Sequence, residues 1–227
     1  MSRTAAVLVV LGLSCLGGAA QALRVPGAPG CPVFPATNPW NARVDRLHFT
    51  GNDEADELLA REPFALLIGF ALDQQVPVQT AFVGPLKLKQ RLGTLEAAEI
   101  AVADPARLDE AFREKPAIHR FPGSMARRVQ ELAAVIDDEY EGHAERVWTD
   151  AADGDDLRRR IGALPGFGKM KVTALGAVLA KRFGVEAAQD LVPNHPTLGD
   201  VDSVEALEDY QAKKRAHKAE MRAKQSS

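Results

Sequence analysis

Apolar side chains recur at helical spacing along most of the chain. Residues 63–72 are apolar on nearly every side, whereas residues 124–140 place Met125, Val129, Leu132 and Ile136 on one face. A helix that is apolar all round is buried, and a helix with one apolar stripe packs that stripe against a core. No segment from Leu47 onward shows the alternation expected of strands. The pattern predicts an all-α fold.

Residues that favour helix ends divide this region into successive helices. Asn52 or Asp53 can cap the first helix, and Pro63 and Pro77 suit the opening positions of the next two. Gly93 suits the closing position of the third helix. Further helix starts are predicted near Thr94, Asp104, Ser124, Asp153, Lys169 and Ser203.

The first 46 residues have a different composition. Arg3, an apolar stretch over residues 5–16 and the small residues ending at Ala22 predict a signal peptide over residues 1–22. The apolar stretch is too short to span a bilayer, which needs about 20 residues, so we expect no membrane span. Residues 23–46 are rich in proline and glycine, which predicts a non-regular linker.

These first 46 residues, called the leader below, leave the cellular location of the protein open. If this leader is genuine, the protein is exported; if the true translation start lies downstream, for example at Val44, the leader is not part of the protein. Both cysteines, Cys15 and Cys31, lie in this first part, so residues 47–227 contain none. That region can hold neither a disulfide nor a thiolate-bound cluster. Its histidines are scattered, so no zinc site and no metal cofactor are expected.

Charge argues against binding of a polyanion through the overall field. From Leu47 onward the chain has 24 basic and 30 acidic residues. Contact with nucleic acid would therefore need local basic clusters or free backbone amides at helix ends.

One such helix end follows the sequence Leu-Pro-Gly-Phe-Gly at residues 164–168, called the hairpin below. Gly166 and Gly168 permit a tight turn around Phe167, which we expect to be buried. We expect Leu164, Gly166, Phe167 and Gly168 to form the part of the hairpin that binds DNA. The next helix would begin at Gly168 with its free amides outward. These amides, with Lys169 and Lys171, predict a phosphate-binding site. A purely structural turn between two helices is the alternative.

The span of residues 47–224 resembles the helix-hairpin-helix DNA glycosylase superfamily (HhH-GPD). Three segments carry the resemblance: residues 68–81 with Gln74-Gln75, residues 121–133, and residues 164–183. The first two are most similar to bacterial 3-methyladenine DNA glycosylase II. The resemblance implies a helix-hairpin-helix glycosylase fold over residues 47–200, followed by a basic C-terminal helix over residues 201–227.

The resemblance also implies an activity, which is base-excision repair by a monofunctional DNA N-glycosylase that flips out damaged bases. We expect these damaged bases to be alkylated ones. The implied catalytic carboxylate is Asp190, 24 positions after Gly166, although Pro193 departs from the family's following helix. An exposed acid at a helix end is the alternative for Asp190. Asp200 and Asp202 are the fallback carboxylates. A non-catalytic DNA-binding protein is the alternative function, and an exported protein with another partner is a third.

Other residues acquire roles by the same resemblance. Met170 occupies the position of the lysine that bifunctional relatives use, so no strand-cleaving lyase activity is expected. Gln74 and Gln75 are implied as wedge or base-edge contacts, with helix capping as the alternative. His119, Phe121 and Trp148 are candidates for stacking or for the core.

The expected partner is double-stranded DNA with a damaged base, bound by a monomer in the cytoplasm or nucleoid. No cofactor is expected, because the absence of cysteines from residues 47–227 excludes an iron-sulfur cluster. A monovalent cation at the hairpin is left open.

Overall fold

The computed structural model describes Arg24–Val25, Ala28–Pro32 and residues 47–225. All regular elements in residues 47–225 are helical, which confirms the all-α prediction for this region. The α-helices are α1 (Asp53–Arg61), α2 (Pro63–Leu72), α3 (Val78–Leu92), α4 (Ala97–Ala101), α5 (Pro105–Arg113), α6 (Pro122–Tyr140), α7 (Arg146–Thr149), α8 (Gly154–Ala163), α9 (Lys169–Arg182) and α10 (Val204–Gln225). Two 3-10 helices, Glu186–Leu191 and Leu198–Asp200, lie between α9 and α10.

Part of the leader forms a small β-ribbon. β1 (Arg24–Val25) pairs antiparallel with β2 (Ala28–Pro32). This corrects the prediction that residues 23–46 are wholly non-regular. A two-stranded ribbon consists only of edge strands, and proline is tolerated on an edge because its missing N–H can fall on the unpaired side. The signal peptide predicted at residues 1–22 and the position Val44 lie outside the described residues.

Helix α2 is the centre of the core. Every residue from Pro63 to Leu72 is buried, as its continuous apolar sequence predicts. It contacts α1, α3 and α6. On α3, the Phe82 ring packs edge-to-face on Phe49 and Phe70, with centroid separations of 5.2 and 5.1 Å. Such aromatic pairs add to the stability that area burial alone provides.

The predicted helix ends agree with the structure at most positions. The Asn52 side chain accepts a hydrogen bond from the Ala55 N–H, and the Asp104 side chain accepts one from Ala106. Gly93 closes α3 with a φ of 82°. Two starts differ. The Thr94 hydroxyl accepts from the Glu96 N–H and α4 begins only at Ala97, and α6 begins at Pro122, before Ser124.

The chain after α9 differs most from prediction. Here the 3-10 helix Glu186–Leu191 folds back onto α8 and α9. Leu191 packs directly on Gly176, where a side chain would lie within 2.6 Å of the Leu191 Cβ. A 3-10 helix of this length gives too few turns for a hydrophobic period to be read.

The C-terminal helix α10 begins within the packed region. Leu207 is buried, and the Gln211 amide donates to the Gln79 side-chain oxygen of α3 at 2.7 Å. The helix is the longest, with 22 residues, and is rich in charge. Within the described residues, no helix combines the length and the apolar character that crossing a bilayer requires.

The contact between α2 and α3 gives a stability prediction. A Cβ at Gly69 would lie 2.6 Å from Cδ1 of Phe82, whose ring is itself confined by Phe49 and Phe70. We expect Gly69→Ala to lower the free energy of unfolding by about 1–3 kcal/mol, measured by urea denaturation.

Gly162→Ala is the matched control on α8. Its new Cβ would meet Val172 at 3.8 Å, an ordinary contact, so helix propensity should raise stability by about 0.5–1 kcal/mol. Equal effects of the two substitutions would contradict the tight packing of α2 on α3.

Candidate nucleic-acid interface

The hairpin forms the predicted tight turn between α8 and α9. Leu164 and Phe167 are buried, and the Phe167 N–H donates to the Leu164 carbonyl at 3.1 Å. Gly166 has a φ of +83°, which side-chain-bearing residues rarely adopt. Gly168 does not share this conformation, because its φ is −85°. Of the two glycines in this turn, only Gly166 therefore adopts the left-handed conformation.

Gly168 instead leaves the start of α9 open. It is the N-cap residue of α9 and has no side chain that could cap the helix. A Cβ added there would meet no atom within 4 Å. The first amides of a helix have no partner within that helix. An uncapped helix start facing open space can accept a phosphate or another anion through these amides and the helix dipole.

A cleft of about 1340 Å³ lies beside the hairpin. Its walls are residues 73–76 after α2, Arg120 and Arg128, the hairpin with the first turn of α9, residues 195–198, and Tyr210 and Lys214 of α10. The volume exceeds the roughly 300–1,000 Å³ of ordinary small-molecule pockets. The cleft has the size of a groove for part of a larger ligand.

The charge of the cleft is opposite to that of the surrounding protein. Of the described residues that line it, Asp73 is the only acid, whereas five are basic: Arg120, Arg128, Lys169, Lys171 and Lys214. Residues 47–227 as a whole carry six more acidic than basic residues. The positive field is therefore local, and it lies where the open end of α9 also attracts anions.

Gln74 is held in place from two sides. The His119 Nε2 lies 2.9 Å from the Gln74 carbonyl oxygen, and the Phe121 N–H donates to the His119 Nδ1 at 3.1 Å. A carbonyl can only accept, so the two contacts require neutral His119 with its proton on Nε2. Burial lowers the pKa of His119, in agreement with the neutral form. His119 thus has a structural role.

The side chain of Gln74 contacts α6 and does not cap α2. Its Oε1 accepts a hydrogen bond of 2.6 Å from the Arg128 guanidinium. The capping alternative is therefore wrong for Gln74. The neighbouring Gln75 is exposed at the cleft edge and has a φ of +58°, which is uncommon for a residue with a side chain.

Arg128 links the hairpin to the segment after α2. Besides its bond to Gln74, it packs across Gly166, where an added Cβ would lie 2.6 Å from the Arg128 Cδ. The sequence analysis did not single out Arg128. Arg128 stands three residues after Met125 and four before Leu132, a spacing that places it on the buried face of α6. This spacing was the signal in the sequence that could have identified it.

Lys169 and Lys171 have different surroundings. Lys169 is exposed, as expected of a phosphate contact. Lys171 is half-buried, and its Nζ donates to the Ala71 carbonyl near the end of α2 at 2.8 Å. Burial lowers the pKa of Lys171 to about 8, with the charge of Asp73 acting in the opposite direction. Lys171 therefore lines the cleft with its amine bonded to the end of α2, and its role as a phosphate contact stays a prediction.

The structure does not bring Asp190 to the cleft. Asp190 is exposed on the 3-10 helix, and its Oδ2 would lie 3.0 Å from a Cβ at Gly154, which begins α8. The prediction of a cleft carboxylate at Asp190 is therefore corrected. The physical reason is the packing of Leu191 on Gly176, which turns the preceding residue toward α8.

The fallback carboxylates also lie elsewhere. Asp200 forms an ion pair of 2.6 Å with Lys181 and a capping box with Thr197, and Asp202 is exposed outside the cleft lining. The cleft instead contains Asp73, which the sequence analysis did not identify. Its adjacency to Gln74-Gln75 was the only sequence signal for it.

The aromatic candidates fall into two groups. Trp148 is 1% exposed and belongs to the core, whereas Phe121 is 42% exposed with the Arg120 guanidinium 4.7 Å from its ring centroid. Tyr210, which the sequence analysis missed, is partly buried and lines the cleft with Lys214 over its ring. Among the described residues no group of three or more His, Cys, Asp or Glu could hold a metal ion. The monovalent cation at the hairpin stays a prediction.

Comparisons of the chain with protein-family models, with curated proteins and with solved structures each gave no match. The relation to DNA glycosylases therefore remains a resemblance carried by three sequence segments.

The position of Arg128 leads to a prediction about the coupling of the hairpin to α2. Arg128→Ala removes a charge-assisted hydrogen bond and a packing contact, so we expect the free energy of unfolding to fall by about 1.5–3 kcal/mol. Arg127→Ala, an exposed neighbour on α6, should change it by no more than about 0.5 kcal/mol. Urea denaturation measures both, and similar values for the two variants would refute the link.

Proposed function

We propose that this protein is a helix-hairpin-helix DNA glycosylase that acts in base-excision repair. It would be a monofunctional N-glycosylase that removes damaged bases, and we expect these to be alkylated. The observation that carries the proposal is the cleft beside the hairpin. Of the described residues that line it, five are basic and one is acidic, in a protein that is acidic from Leu47 onward. This local field, next to an open helix start, suits a phosphate backbone.

The proposed contacts with DNA fall into two sets. The amides at the start of α9 and the exposed Lys169 would bind one phosphate group, which positions the duplex without reading its sequence. Lys214 and Arg120 at other walls of the cleft would contact neighbouring phosphates. Each phosphate that is neutralised releases counterions, so binding should weaken with salt.

The cleft also suits a base turned out of the helix. A flipped nucleotide needs a recess with a ring to stack on, and Tyr210 offers a partly buried ring in the cleft wall. Gln75 projects at the cleft edge in a left-handed conformation, held next to the anchored Gln74. We assign it the wedge role, in which a side chain fills the gap that the base leaves.

The monofunctional assignment rests on the first turn of α9. Met170 stands at the position of the lysine in bifunctional relatives, and its side chain is 83% exposed. Base loss with water as nucleophile is therefore the proposed reaction, without a covalent amine intermediate.

A non-catalytic DNA-binding protein is the second candidate. The observation in its favour is the position of Asp190 outside the cleft, because the carboxylate expected from the resemblance is then absent from the DNA-binding face. Either function places a monomer on double-stranded DNA in the cytoplasm or nucleoid. Export remains the competing proposal for residues 1–22.

A panel of damaged duplexes separates the two candidates. The full chain is incubated with duplexes carrying alkylated, deaminated or oxidised bases, and abasic sites are scored by strand breakage in hot alkali. We expect excision from the alkylated duplexes. Binding without excision across the panel would favour the second candidate, and the absence of both would contradict a DNA function.

The open start of α9 gives a charge-specific prediction. Gly168→Asp places a carboxylate where the phosphate should lie, and should weaken DNA binding by roughly 10-fold or more at physiological salt. Gly168→Ala is the matched control, because its Cβ meets no atom within 4 Å and adds no charge; its affinity should stay within about twofold. Fluorescence anisotropy measures both affinities. Unchanged binding by the Asp variant would refute the role of the hairpin.

A further inference from the structure

Asp73 occupies a position that the end of α2 disfavours electrostatically. It is the C-cap residue of α2, and its N–H donates to the carbonyls of Gly69 and Phe70. The carbonyl end of a helix carries partial negative charge, so an acid there is destabilising and a lysine or arginine would be favourable. Stability alone does not explain this residue.

The Asp73 carboxylate is also free to meet a ligand. None of the side-chain hydrogen bonds or ion pairs described for residues 47–216 uses it. The nearby Lys171 amine donates to the Ala71 carbonyl and not to Asp73. The charge of Asp73 still acts on this amine, since it opposes the lowering of the Lys171 pKa by burial. A negative charge is thus held in the cleft beside a cation that does not pair with it.

A solvated acid at a helix end is the plain structural explanation for Asp73, and two observations count against it. Asp73 lines the same cleft as the hairpin and Tyr210, and the residues described there include no other acid. The other candidate carboxylates lie elsewhere, with Asp190 beside α8 and Asp200 paired with Lys181.

We propose that Asp73, and not Asp190, is the catalytic carboxylate, and that its substrate class is a nucleotide in DNA whose sugar becomes cationic as the base leaves. This inference rests on the proposed glycosylase function. It assigns the reaction to the end of α2, whereas the sequence pointed to the segment after α9.

The reaction consists of base release followed by addition of water. The bond between C1′ and the base nitrogen breaks, and its electron pair leaves with the base. The sugar becomes an oxocarbenium-like cation, which the Asp73 carboxylate stabilises through space. A water oxygen then bonds to C1′, and its proton passes through Asp73 to solvent. The products are the free base and an abasic sugar.

The number of carboxylates in the cleft also narrows the class of base that the protein would remove. A neutral purine leaves more easily when an acid protonates it, and enzymes that cleave glycosidic bonds often use a second carboxyl group for this. Among the described residues the cleft has one carboxylate, that of Asp73. An N-alkylated base is already cationic and departs as a neutral molecule. Such bases are therefore the substrates that one carboxylate can serve.

The first test measures binding and needs no turnover. Duplexes carry either a cationic pyrrolidine or a neutral tetrahydrofuran in place of the target sugar, and the full chain is titrated with each. We expect the wild-type protein to bind the cationic duplex roughly tenfold or more tightly, because an opposite charge a few ångströms away stabilises the cation. Asp73→Asn should remove this preference, so that the two duplexes bind with affinities within about twofold of each other, whereas Asp190→Asn should keep the preference.

The second test measures base release from an alkylated duplex under single-turnover conditions. Asp73→Asn should slow release by roughly 100-fold or more, as expected when a principal electrostatic stabiliser is removed. Asp190→Asn should stay within about twofold of wild type. Urea denaturation should show no loss of stability for Asp73→Asn, because the acid is unfavourable at the helix end. A slow but equally stable variant excludes a merely structural role.

The outcomes distinguish the two proposals. If Asp73→Asn keeps both the cation preference and the rate, or if Asp190→Asn loses them, Asp73 is not the catalytic carboxylate. If no lesion is excised by the wild type but an Asp73-dependent cation preference is measured, the excision function fails and the carboxylate still stands as the cation-binding group. If the wild type shows neither preference nor excision, both proposals are overturned.

Discussion

The complete burial of α2 determines how the cleft is built. Because every residue of this helix is apolar and enclosed by α1, α3 and α6, its axis has no freedom to shift toward solvent. Its last turn therefore delivers Asp73 and Gln74 to a defined place, where His119 and Arg128 hold Gln74. The polar end of the most apolar helix becomes one wall of the cleft.

The second wall is attached to the first by few but specific contacts. Arg128 of α6 packs over Gly166 and bonds to Gln74, and Lys171 of α9 donates to the Ala71 carbonyl. Both are basic side chains that satisfy oxygen atoms of the α2 region. The hairpin and the end of α2 are thereby kept at a fixed separation, as the proposed contacts with a phosphate and a sugar would require.

Local and overall charge have opposite signs in this protein. The acidic surface would repel a polyanion at long range, whereas the basic cleft and the start of α9 attract it at contact. Screening at physiological salt extends over about 8 Å, so the near field decides binding once the groups meet. The proposed DNA binding would therefore use one restricted face of a net acidic protein, with Asp73 inside it.

The sequence by itself determined the local features. Capping residues such as Asn52 and Asp104, the apolar run of α2 and the left-handed Gly166 act within a few neighbouring residues, so their effects could be predicted without tertiary structure. The tertiary structure alone decided which carboxylate enters the cleft and where the Lys171 amine lies. Asp190 is turned away by the packing of Leu191 on Gly176, and Lys171 meets Ala71 across 100 positions of sequence. Such choices depend on contacts between distant helices, and neither spacing nor composition encodes the direction in which a side chain finally points.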